Sequence, residues 1–124
     1  MIIELFAYIY CGFIVGTIGF QIALIAGAPW GRLTQGGRHG GALPVSGRVA
    51  AGISIVILLG FGLAILSASG GWPNWPRWTG WLTVSLQALV ALANCATRSK
   101  AERRLWAPIT TLKLLLAGAV MLLG

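Results

Sequence analysis

Acidic residues are almost missing from this chain of 124 residues: aspartate does not occur, and Glu4 and Glu102 are the only glutamates. No serine, histidine and carboxylate can be assembled into a nucleophilic triad. His39 is the only histidine, which excludes a bis-histidine haem and leaves no cluster with zinc spacing. Cys11 and Cys95 form no cysteine framework. They fall toward opposite ends of their helices, about 20 Å apart at 1.5 Å per residue, whereas a disulfide needs Cα atoms within about 7 Å. Both read as small buried apolar side chains. Gly36–Gly41 is glycine-rich, but it lacks the lysine and hydroxyl of a phosphate-binding loop and a strand before it. Charge is scarce as well. Only 9% of residues are charged, against about 25% in an ordinary soluble domain, so a soluble bundle is a poor alternative. Neither catalysis nor a metal or cofactor is expected.

What the chain does have is apolar length. Hydrophobic residues make up 57% of it, and the mean hydropathy is +0.86. Four runs stand out: Ile2–Gly27, Val45–Ser67, Trp78–Thr97 and Ala107–Leu123. A span needs about 20 apolar residues to cross about 30 Å of hydrocarbon, and a helix is the only open-ended structure that satisfies its own backbone there. The sequence therefore predicts an all-α, integral membrane four-helix bundle forming one domain over residues 1–124. The first run is too long, and lacks the basic flank, for a signal peptide.

The net charge of +7 is unevenly placed. Arg32, Arg38 and Arg48 lie between or beside the first two runs, and Arg98, Lys100, Arg103 and Arg104 lie between the last two. Arg77 alone occupies the loop between runs two and three. Basic residues concentrate in cytoplasmic loops, so both termini are expected outside a bacterial inner membrane. The basic loops would then meet anionic lipid headgroups. Nucleic acid is not an expected partner, since the basic surface lies against the bilayer and carries no stacking platform. Trp72, Trp75, Trp78 and Trp81 share ten residues with Pro73 and Pro76, a composition suited to the opposite interface. Ser99-Lys100-Ala101-Glu102 fits a capping box, and Pro108 would clash with a continuous helix. A short interfacial helical turn, Lys100 to Trp106, and a bend or fresh start near Leu105–Ala107 are therefore expected.

Polar residues inside hydrocarbon are costly and often mark function. Gln21, Ser54, Gln87, Asn94 and Lys113 all fall in the inner half of their runs, which predicts an intramembrane polar cluster centred on Lys113. Unless they form a site, the four neutral groups serve as interhelical glue and Lys113 snorkels inward. Glycine supplies Gly12-Phe13-Ile14-Val15-Gly16, extended by Gly19, and Gly47-x-x-x-Ala51. These small faces suit close helix packing, within the bundle or against a partner or second copy. Trp30, Arg32, Arg38, Arg48, Glu102, Arg103 and Arg104 are expected to share one cytoplasmic interaction surface, with Glu102 paired to Arg48 or Arg32.

Gly27-Ala28-Pro29-Trp30-Gly31, Gly36-Gly37, Leu43-Pro44, Arg48, Asn94, Ser99 with Glu102-Arg103, and Pro108 together make a pattern over nearly the whole chain. The pattern resembles a family of small four-span bacterial membrane proteins with no assigned activity. The resemblance implies the four-span fold and carries over no substrate or catalytic residue. The expected function is a small accessory or structural subunit, or a lipid-contacting module, of a membrane assembly with other membrane subunits or copies of itself. The alternative is a small oligomeric transporter or channel that uses the cluster around Lys113.

Overall fold

The computed structural model describes residues 2–37 and 39–124. Among these residues it is all-helical, with α1 at Ile2–Ile25, α2 at Val45–Ala68, α3 at Arg77–Ala96 and α4 at Lys100–Leu123. Each of the four helices is long and apolar enough to cross a membrane. Arg38, one of the sequence-predicted surface residues, lies outside the described residues.

Helix boundaries follow from local chemistry. α1 ends where Gly27 turns to a φ of 102°, a backbone region that a side chain disfavours. The amides of Ala28 and Gly27 then bond the carbonyls of Ala23 and Leu24 at 3.0 and 3.2 Å, a Schellman ending with Pro29 just beyond it. α2 closes in the same way, with Gly70 at φ 96° and Gly71 bonded to the Leu66 carbonyl. Pro44 and Pro76 stand at the N-caps of α2 and α3, where a missing N–H costs little.

The N-terminus of α4 corrects one expectation. Ser99 does cap it, its hydroxyl oxygen accepting from the Glu102 amide at 3.2 Å. The Ser99 amide, which would donate to Glu102 in a full capping box, donates to the Thr97 hydroxyl at 3.3 Å. No separate interfacial turn forms, and the helix runs without a break through Pro108 to Leu123. Pro108 forfeits a single ladder bond, to the Arg104 carbonyl, and both residues lie on the exposed side of the helix. Extending α4 back to Lys100 swings Glu102 onto its buried face.

The helices run up, down, up, down, each packed on the next and α4 on α1; α2 against α3 is the least extensive of the four neighbour packings. Antiparallel order gathers Arg32, Arg48, Arg98, Lys100, Arg103 and Arg104 at one end and the four clustered tryptophans at the other. The tryptophan half holds a dry core of Ala7, Tyr10, Ile14, Phe61, Ile65, Ala117 and Val120. A smaller apolar cluster of Leu24, Leu43 and Ala51 pins α1, α2 and their connection together near the arginine end.

The connection between α1 and α2 folds back over α4 through two short 3-10 turns, Gly31–Leu33 and Gln35–Gly37. The Ser99 hydroxyl donates to the Arg32 carbonyl at 2.8 Å, and the Trp106 indole donates to the Leu33 carbonyl at 2.7 Å. Two glycines are required by close approach. A side chain at Gly31 would strike the backbone of His39 and Gly41, and one at Gly37, whose φ is 71°, would strike Ser99. Phe20 stacks on Trp30 and meets Trp106 edge-on, centroids 4.9 Å apart, closing the same end with rings.

Candidate functional site

Behind this cover the arginine half of the bundle is not close-packed. A chamber of about 260 Å³ lies between the helices, with room for about nine waters at roughly 30 Å³ each. Ten of its fifteen lining residues carry polar side chains, set in a wall completed by Ile57, Leu58, Phe61, Val90 and Trp106. Thr17 and Gln21 come from α1, Thr34 and Gln35 from the connection, Ser54 from α2, Gln87 and Asn94 from α3, and Glu102, Thr110 and Lys113 from α4. The five residues predicted from depth alone, Gln21, Ser54, Gln87, Asn94 and Lys113, all line this one space.

Helical spacing explains the convergence. Tyr10, Ile14, Thr17 and Gln21 recur every three or four residues and so share one face of α1. Glu102, Trp106, Thr110 and Lys113 do the same on α4. Below the chamber both stripes become apolar, through Ala7 on α1 and through Ala117 and Val120 on α4. The chamber therefore has a floor: Phe61 lines its inner end, and Tyr10, fully buried, donates its phenol to Gln87 Oε1 at 3.0 Å. It is a pocket closed at its floor rather than a continuous pore.

Lys113 is the unusual group. It is 2% exposed and lies about 20 Å of helix rise from Lys100, so it does not snorkel to the bundle end. Its ammonium carries three donors, and its one hydrogen bond within the described residues goes to the Thr17 hydroxyl at 3.3 Å. A buried charge is expensive unless an opposite charge or several dipoles meet it. Glu102 lines the same chamber but lies eleven residues away on the same helix, about 16 Å in rise.

The other polar groups are better supplied. Ser54 and Asn94 donate to the carbonyls four residues back on their own helices, at 3.0 and 2.9 Å, and Thr110 donates to the Trp106 carbonyl at 2.7 Å. Gln35 donates to the Gly47 carbonyl at 2.9 Å. Gln87 is 1% exposed, lines the chamber and accepts through its oxygen from Tyr10.

The expected cytoplasmic surface is only partly assembled. Trp30, Arg32 and Arg104 are exposed, while Arg48 and Arg103 are half-buried and donate to the carbonyls of Leu43 and Thr97. Glu102 is buried on the chamber wall. The covering loop is held to α4 by Ser99 and Trp106. Small-residue packing also divides. Gly47 sits against Gln35 and Leu43, and Ala51 is fully buried, whereas Gly12, Gly16 and Gly19 face open space on α1. Cys11 and Cys95 are free thiols; Cys95 lies on the outer face, contrary to its expected burial.

Tyr10, Thr17 and Thr110 were invisible to a reading that sought strongly polar residues, although their register with Gln21 and Lys113 was available. No group of three or more metal-ligating side chains comes together among the described residues. No protein-family model, curated protein or solved structure matches the chain.

Proposed function

We propose that this multi-pass membrane protein binds a small anionic group in the chamber, as the substrate site of a small transporter, with its arginine-rich end in the cytoplasm. The observation that carries the reading is Lys113: a buried ammonium with one hydroxyl partner, facing space lined by side chains from all four helices. An anion supplies the missing charge, and Gln87, Thr17 and Gln21 offer hydrogen bonds around it. A purely structural subunit has no need of such a vacancy, because an apolar side chain in place of Lys113 would pack the bundle at no desolvation cost. The floor of Tyr10 and Phe61 favours alternating access over an open channel. Orientation follows the unequal loop charge.

The test is thermal stability of the purified protein titrated with inorganic phosphate, sn-glycerol 3-phosphate and an anionic phospholipid. Wild type should be stabilised by at least one of them, by mass action on the native state. Lys113→Met should show no shift. If no anion stabilises the wild type, or Lys113→Met responds equally, the reading fails.

A second reading, the accessory subunit, draws on the outward glycines of α1. Gly12 and Gly16 floor an apolar groove walled by Ile9, Phe13, Leu105 and Ile109. Cross-linking from Ile9→Cys, at the edge of that groove, in native membranes to a stoichiometric partner or second copy would support it; monomeric, uncross-linked protein would not.

A further inference from the structure

The chamber has lips of a different character from its interior. Of its fifteen lining residues, two are exposed on the outside of the bundle: Ile57 of α2, 47% accessible, and Val90 of α3, 39% accessible. Both are apolar. They belong to α2 and α3, the least extensively packed of the four neighbouring helix pairs, while every other lining residue is buried or half-buried. Toward the arginine end the chamber is roofed by the Thr34–Gln35 segment, fixed through Gln35 to Gly47 and through its neighbours to Ser99 and Trp106. The space thus opens sideways, through hydrocarbon-facing side chains, into a polar interior that ends at a buried cation.

We infer that the ligand is an amphiphile with an anionic head, which enters between α2 and α3, places its head against Lys113 and leaves its acyl chain in the Ile57–Val90 seam. The inference rests on the proposed anion site and adds the substrate class and route. A chamber of about 260 Å³ accommodates a phosphate-sized head with hydrogen-bonding substituents but no acyl chain beside it. A wholly water-soluble anion would gain nothing from lips made of isoleucine and valine, whereas a lipid exchanges one apolar surround for another there and desolvates only its head. Lys113 supplies the charge, while Gln87, Thr17 and the rim groups Ser54 and Asn94 supply dipoles. Glu102 sits at the roofed end, about 16 Å of rise from Lys113. Gln21, from α1, stands between them in the wall.

The experiment uses the full chain in nanodiscs, with phosphatidylglycerol as the amphiphile, phosphatidylcholine as the uncharged-net comparison and sn-glycerol 3-phosphate as the chainless head. Native mass spectrometry counts retained molecules. Wild type should retain one phosphatidylglycerol in preference to phosphatidylcholine, and Lys113→Met should weaken this by about tenfold or more. Ile57→Trp, which fills the seam, should weaken phosphatidylglycerol binding by a similar factor and leave glycerol phosphate binding unchanged. Val56→Trp, 70% exposed on the face of α2 turned away from the lining residues, should change neither. A phosphatidylglycerol with a photoreactive acyl chain should label the seam around Ile57 and Val90 in the unmodified protein, which removes any dependence on how a tryptophan variant folds. Glycerol phosphate binding without lipid selectivity, or photolabel spread evenly over the bundle, overturns the lateral amphiphile and leaves the anion site standing. Failure of every anion, phosphatidylglycerol included, to bind wild type removes both.

Discussion

The two halves of this bundle solve the same packing problem in opposite ways. At the tryptophan end, Ala7, Ile65, Ala117 and Val120 pack in one cluster and are fully buried. At the arginine end the same four helices, one or two turns further on, enclose a space walled by threonine, glutamine, asparagine and lysine. In hydrocarbon, apolar side chains gain little from leaving lipid for each other, so shape and small residues decide packing. The dry half is what that rule produces by itself. The arginine half departs from it at the cost of a buried charge, and the proposed anion site rests on that departure.

Substitutions can break the asymmetry from either side. Ile65→Ala opens a void in the dry half and should cost about 2–4 kcal/mol, read from reversible unfolding in mixed micelles. Gly37→Ala forces a side chain into a left-handed backbone and against Ser99, loosening the roof of the chamber for about 1–2 kcal/mol. Tyr10→Phe removes the floor hydrogen bond to Gln87 and should cost about 0.6 kcal/mol, the usual size of such bonds between membrane helices. Lys113→Met, the most radical chemical change of the four, should alter stability least, by less than about 1 kcal/mol, because it removes a desolvated charge and substitutes a flexible apolar chain. A loss of several kcal/mol in Lys113→Met would make the lysine a structural strut and erase the contrast between the halves.

The sequence made the four helices legible because span length is set by bilayer thickness and not by tertiary detail. Depth counting was enough to pick out Gln21, Ser54, Gln87, Asn94 and Lys113, since helices of similar length in antiparallel register bring equal depths together. Pro108 misled the reading of α4. Treated as a break, it left Glu102 on a surface turn, whereas the continuous helix puts Glu102 in register with Trp106, Thr110 and Lys113 on the buried face. The direction of Gly12, Gly16 and Gly19 was likewise illegible, because a small-residue motif specifies closeness and not a partner. The roof of the chamber depends on long-range bonds from Ser99 and Trp106 to backbone carbonyls of the α1–α2 connection, which carry no side-chain signature in that connection.

The proposed site requires the cavity of the arginine half to be hydrated while the tryptophan half is dry. Thiol labelling measures that difference directly, because only the ionised, hydrated thiolate reacts readily. In a Cys11→Ala, Cys95→Ala background, Gln87→Cys and Ile65→Cys are each treated in membranes with membrane-permeant N-ethylmaleimide. Gln87→Cys should label promptly and Ile65→Cys should remain unmodified until the protein is denatured. Equal reactivity at the two positions, or none at Gln87→Cys, would contradict the account.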